Sequence, residues 1–160
     1  MGLSVILITK NEAHNLPRAL KSAAFADEII VVDSASSDGT PDIARSIGAK
    51  VLETTDWPGY GPQKNRALSL ATQNWVLSLD ADEWLSQPLA EEIRMVLERD
   101  TFASSNTAPS AYWVRRQSIY VDKTIRWGDW RGDKVLRLFR RSDYQFSEDR
   151  VHERLFSTRP

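Results

Sequence analysis

Three short apolar runs in this chain each give way to polar or acidic residues, with helical patterns between them. Leu3 to Thr9 runs into Lys10-Asn11-Glu12, Glu28 to Val32 stops at Asp33, and Trp75 to Leu79 runs into Asp80-Ala81-Asp82-Glu83. Apolar runs alternating with helices are the pattern of βαβ units, so the first half is predicted to form a mostly parallel sheet. In such sheets ligands bind beyond the carboxyl ends of the strands. A single acid after a strand is commonly a turn or helix cap, but several strands ending on polar groups predict one shared polar crevice.

The remaining elements follow from local signals. A helix is predicted from Leu16 to Ala24, with Asn15 as its cap and Pro17 in its first turn. After the turn-rich Ser34-Ala35-Ser36-Ser37-Asp38-Gly39, Thr40 is placed to cap a helix that begins at Pro41 and ends before Gly48. Lys50 to Glu53 is a third strand, Pro62 to Ala71 a helix, and Ser86 caps another helix from Gln87 to Arg99. Beyond the loose Ser104-to-Ser110 stretch, Ala111 to Val121 and Lys134 to Arg140 are longer extended segments, predicted to form a mixed or antiparallel addition.

With 160 residues, of which 41% are hydrophobic, the chain suits one domain with a real core. Twenty-one basic and 22 acidic side chains give a net charge of -1, so no overall field draws in nucleic acid, and none is expected as a partner. The absence of cysteine excludes disulfides and thiolate metal sites and fits a cytoplasmic location. Lys10 and Asn11 close the first apolar run well short of a signal-peptide core or a membrane span.

Asp80-Ala81-Asp82 sets two carboxylates around a small residue just past a strand, a spacing that lets them face one hard cation such as Mg²⁺ or Mn²⁺. A diphosphate leaving group needs such an ion, because charge builds on it as it departs. Strand one is followed by Thr9-Lys10-Asn11-Glu12 and not by G-x-G-x-x-G, and no P-loop pattern occurs, so phosphate must be bound by other means.

In order and spacing, LSVILITKNEAHNLPRAL, EIIVVDSASSDGT, GPQKNRAL and WVLSLDADEWL resemble the amino-terminal half of family 2 glycosyltransferases. WRGDKVLRLFRR followed by VHERL is similar to the subgroup that includes bacterial lipopolysaccharide core glucosyltransferases. The resemblance implies an α/β, GT-A (Rossmann-like) nucleotide-diphospho-sugar transferase fold. It implies one such domain over 1–160, with 1–99 as the nucleotide-binding half and 111–160 as the start of the acceptor half. The family's carboxyl-terminal acceptor region would lie beyond Pro160. The implied reaction is inverting transfer of a sugar, glucose first, from a UDP-sugar to a cell-envelope glycan such as the inner-core heptose of lipopolysaccharide. A glycolipid acceptor in turn implies peripheral contact with the inner face of the cytoplasmic membrane. The alternative is a truncated, catalytically weak nucleotide-sugar-binding module. A nucleotidyltransferase would carry a Gly-rich, Arg-containing loop after strand one, which is not found.

Carried over position by position, the resemblance puts Thr9, Asn11 and Glu12 in the nucleotide pocket and has Asp33 accept a hydrogen bond from uracil. Lys64 and Arg66 would lie near the base or phosphates, or else on a solvated helix face. Asp80 would lie near ribose and cation, Asp82 would be the metal ligand, and Glu83 would face the sugar or shape the loop. Inversion requires a base for the acceptor hydroxyl. Glu148, Asp149 and Glu153 are the candidates, with Glu153 preferred and Asp149 second. His152 could complete the metal shell or meet the diphosphate, or be an ordinary hydrogen-bonded residue. Arg131, Lys134, Arg137, Arg140 and Arg141 could touch phosphate or guard a solvated strand edge. Trp127 and Trp130 could stack on sugar or fill core space.

Overall fold

The computed structural model describes residues 2–102, 109–121, 123–125 and 133–159. Arg131, Trp127 and Trp130 lie outside that set. The first half alternates as predicted: β1 (Leu3–Thr9), α1 (Leu16–Ser22), β2 (Glu28–Asp33), α2 (Thr40–Ser46), β3 (Lys50–Glu53), α3 (Tyr60–Leu70), β4 (Trp75–Ser78) and α4 (Gln87–Phe102). The second half holds β5 (Ala111–Arg115), the short β6 (Ile119–Tyr120) and β7 (Lys123–Thr124), then β8 (Lys134–Arg140), β9 (Tyr144–Phe146) and β10 (Leu155–Ser157).

Six strands form one sheet in the order β3-β2-β1-β4-β8-β5. β3, β2, β1 and β4 run parallel, while β8 pairs antiparallel with both β4 and β5. Alternation along the strands feeds two cores. Leu3, Val5 and Leu7 of β1 join Leu16 and Leu20 of α1, Ala44 of α2 and Ile93 of α4 on one face. Ile6 of β1, with Ile30 and Val32 of β2, joins Ala67 and Leu68 of α3 and Phe146 of β9 on the other. Both faces are thus covered, as a sheet of parallel strands requires.

The chain winds outward from β1 to β3 and then returns to place β4 on β1's other side. That reversal opens a crevice beyond the carboxyl ends of β1 and β4, where open α/β sheets bind ligands. Local expectations change at several points: Asn15, at the N-cap of α1, makes no side-chain capping bond, its Nδ2 instead donating to Glu12 Oε2 at 2.9 Å. Thr40 is the first residue of α2, after Gly39 at φ 86°, and its hydroxyl donates to Asp38 Oδ1 at 2.5 Å instead of capping. The extended reading of Ala111 to Val121 breaks after Arg115, because Ile119 and Tyr120 pair with the adjacent β7.

Candidate active site

The ends of β1 and β2 are laced together by side chains. Thr9 Oγ1 donates to Asp33 Oδ1 at 2.7 Å, and Ser36 donates to Asp33 through both its amide (2.8 Å) and its hydroxyl (2.6 Å). Asn11, in a left-handed conformation with φ 56°, accepts from the Ser37 amide at 2.9 Å, while its own amide donates to Ser36 Oγ at 2.7 Å. The Glu12 amide donates to Thr40 Oγ1 at 2.8 Å, and the Glu12 carboxylate accepts from Asn15 Nδ2 at 2.9 Å. Asp33 is fully buried, and these three internal bonds take most of a carboxylate's acceptor capacity.

Beyond β4 stands a chain of ion pairs. Lys64 Nζ, on the buried face of α3, donates to Asp80 at 3.0 Å and to Glu153 at 2.6 Å. Arg137 of β8 reaches Asp80 at 2.6 Å and Glu83 at 2.8 Å. Both cations are nearly out of water, at 7% and 9% side-chain exposure, so each needs its carboxylates. Burial raises the Asp80 carboxyl, but the Arg137 bond and charge, reinforced by Lys64, hold it well below the usual carboxylate range. Burial lowers the Arg137 guanidinium, yet its bond and charge contact with Asp80 carry it above its ordinary value. The Asp80–Glu83 turn is fixed from α1 as well: the Arg18 guanidinium lies over the Trp84 ring, and Ser22 Oγ accepts from the Leu85 amide at 3.0 Å.

A cleft of about 1370 Å³ opens on this turn, lined among others by Asp80, Asp82, Glu83, Trp84, Val114 and Arg137. Thr9 and Asp33 lie outside its lining, and Lys64, on the helix packed over β1 and β2, connects the two regions by reaching Asp80. Asp82 is exposed and makes no hydrogen bond or ion pair with the other described residues.

Of the predicted residues, Thr9, Asn11, Glu12 and Asp33 come together at one pair of strand ends, and Lys64, Asp80 and Glu153 at the adjoining one. Arg66 instead turns to Asp56, which it holds bidentately at 2.9 and 2.5 Å. Glu148 accepts from Asn65 of α3 at 3.0 Å and Asp149 from Ser147 Oγ at 2.7 Å, so the first carboxylate ties the loop to the helix and the second serves the loop itself. His152 is exposed, with φ 58°. Among the described residues no three His, Asp or Glu side chains gather as a metal cluster, so Asp80, Asp82 and His152 do not form one.

The donor set nevertheless fits a hard cation held by few protein oxygens. Lys64, Arg137 and, at 3.8 Å, Arg116 pair with Asp80, Glu83 and Glu153, while the Asp82 carboxylate on the same cleft is unpaired among the described residues and open to a divalent ion. Ser78 Oγ, on the same cleft, is buried without a hydrogen-bond partner among the described residues.

Arg137 is a core member of the site that the sequence left between a phosphate contact and a solvated edge. Its signal was a lone cation opposite Leu136 and Leu138 in a strand. Gln63 went unremarked; fully buried, it donates to Ser34 Oγ at 3.0 Å and Thr54 Oγ1 at 2.9 Å, tying α3 to the ends of β2 and β3.

A four-stranded parallel core with an antiparallel addition, carrying acids at the ends of β1, β2 and β4, defines a GT-A nucleotide-diphospho-sugar transferase fold. The chain belongs to glycosyltransferase family 2, whose model matches residues 4–149. It is 40% identical over 139 residues to the uncharacterized glycosyltransferase RT0209 of Rickettsia typhi, covering 86% of this chain and 42% of that protein. It is 30% identical over 159 residues to the lipopolysaccharide core biosynthesis glycosyltransferase LpsC of Rhizobium meliloti, covering 96% and 56%. S. aureus TarS (1-349) in complex with UDP-GlcNAc superposes with a TM-score of 0.54 at 28% identity, over 62% of this chain and 32% of that one. The chain thus spans less than half the length of its Rickettsia typhi relative. No helix among the described residues is long and apolar enough to cross a membrane.

Proposed function

We propose that this chain is the donor-binding and catalytic part of an inverting glycosyltransferase. It moves a sugar, glucose first, from a UDP-sugar to a cell-envelope glycan acceptor of the lipopolysaccharide-core kind. The observation that carries this reading is the Glu153–Lys64–Asp80 chain, which sets a carboxylate from the end of the chain beside the strand-end acids. The UDP-GlcNAc complex of TarS supports the donor class, and the name of LpsC supports the acceptor class. In this reading residues 1–99 bind the donor and 111–160 begin the acceptor half.

Glu153 takes the acceptor hydroxyl's proton as that oxygen attacks the anomeric carbon. Lys64 holds the carboxylate in place for that task. Thr9, Asn11 and Glu12 shape the nucleotide pocket; Asp33 meets uracil through the acceptor position its internal bonds leave unused, which requires the Ser34–Ser37 turn to shift. Arg66 borders the pocket through its pair with Asp56. Asp82 would hold Mg²⁺ or Mn²⁺, with Asp80 nearby and His152 free to turn toward the diphosphate. That ion, when bound, would neutralise charge on the departing diphosphate.

Calorimetry with UDP-glucose tests the donor site, with and without Mn²⁺, in wild type and Asp82→Ala. Metal-dependent binding lost in the variant is expected; no binding by folded wild type in either condition would sink the UDP-glucose assignment. Glu153→Gln should keep donor binding and lose transfer, about 100-fold or more in kcat.

A further inference from the structure

The first two amides of α3 are taken up by the chain itself. Lacking intrahelical partners, Tyr60 N–H donates to the Arg150 carbonyl at 3.1 Å and Gly61 N–H to the Asp149 carbonyl at 3.2 Å. The approach is so close that only glycine fits. A Cβ on Gly61 would stand 1.8 Å from the Ser147 carbonyl oxygen, and one on Gly59, at φ 126°, 2.5 Å from Arg150 Cα.

Four residues along from Gly61, and so on the same helix face, stands Asn65. Its Oδ1 accepts from the Phe146 amide at 2.9 Å, and its Nδ2 donates to the Phe146 carbonyl at 2.9 Å and to Glu148 Oε1 at 3.0 Å. A side-chain amide thereby acts as a strand partner for Phe146, whose other neighbour is Leu155 of β10. The loop that leaves Phe146 closes on itself, Ser147 N–H donating to the Arg154 carbonyl at 2.8 Å and Arg154 N–H to Ser147 Oγ at 3.0 Å. Glu153 lies just inside that closure and meets Lys64, the residue before Asn65 on the helix, at 2.6 Å.

We infer that Asn65 is a positioning residue: its two-way clamp on Phe146, seated by the close contact at Gly61, fixes the 147–153 loop on α3 and so sets where Glu153 stands. The inference rests on the proposed role of Glu153 as base. Displacing a reacting group by about 1 Å can cost about 100-fold in rate without touching binding elsewhere.

The test compares wild type, Asn65→Ala, Glu153→Gln and the double variant in the full chain. Expected for Asn65→Ala are UDP-glucose binding with Mn²⁺ within about twofold of wild type, faster hydrogen exchange at the 147–150 amides, and kcat about 100-fold lower. Adding Asn65→Ala to Glu153→Gln should then lower kcat no further. Donor binding lost in step with kcat, or the same fold-loss in both backgrounds, would overturn the inference. Should Glu153→Gln transfer at the wild-type rate, the base assignment fails on its own. Exchange at 147–150 needs neither donor nor acceptor, and a rate unchanged by Asn65→Ala sinks the clamp. If Asn65→Ala does not fold, Asn65→Asp, which keeps the acceptor for Phe146 N–H but loses both donors and sets a carboxylate against Glu148, should show the same pattern; the wild-type pattern would count against the inference.

Discussion

Arg137 shows how one buried cation can decide the state of several acids. Its guanidinium serves both Asp80 and Glu83, and removing it leaves two partly buried carboxylates short of a partner. Breaking a fully buried pair typically costs 3–5 kcal/mol, and the 35% and 23% exposure of these acids reduces that here. Arg137→Met should therefore destabilise the protein by about 2 kcal/mol in urea unfolding, and Arg137→Lys, which keeps the charge but not the reach, should recover part of it. A variant as stable as wild type would show that Lys64 suffices for Asp80 and Arg116, 3.8 Å away, for Glu83. The acids were readable because each follows an apolar run that can only be a strand. Their cationic partners come from α3 and β8, 16 residues before and 57 after Asp80, and no local pattern states that two such cations meet.

At the level of elements, local signals set starts better than ends. β1 and β3 match their predicted spans, as does β8, while α4 runs past the predicted Arg99 to Phe102. The added turn contains Asp100, buried at 6% exposure, which accepts from Trp75 Nε1 at 2.9 Å and pairs with Arg140. Helix length here is set by a tertiary contact with β4 and β8, which periodicity along α4 cannot express. Asp100→Ala strands a buried indole N–H and a guanidinium, so it should cost about 3 kcal/mol. Hydrogen exchange should locate the loosening in the last turn of α4; exchange unchanged there would mean that the apolar face alone holds the helix. The β9–β10 hairpin was missed for a related reason. Two three-residue strands carry little alternation, and what fixes them is Asn65 on a helix some 80 residues earlier.

In the whole molecule the two ends of the sheet do different work. Glu28, at the amino end of β2, collects Ser4 Oγ at 2.5 Å, the Thr72 amide at 2.5 Å and hydroxyl at 2.9 Å, and Lys50 at 2.7 Å, joining three strands away from the crevice. Burial works against its charge, but the Lys50, Ser4 and Thr72 bonds prevail and bring its pKa from 4.5 down to about 2. A depressed carboxylate stabilises the fold above its unfolded pKa and loses that contribution as pH falls through the folded one. Stability should therefore decline as pH falls from 4.5 toward 2, and Glu28→Gln should flatten that decline while costing about 2 kcal/mol at pH 7. The crevice lies five residues farther along β2, about 17 Å away, beyond the range at which independent sites couple. A donor that binds only the native state adds about 2.7 kcal/mol at a concentration 100 times its Kd. The rise in Tm on adding UDP-glucose and Mn²⁺ should thus correspond to the same free energy in Glu28→Gln as in wild type, measured at pH 7 by scanning calorimetry. An increment that shrinks in Glu28→Gln would mean that the strands carry strain from one end of the sheet to the other, and that the crevice depends on how its far side is buttressed.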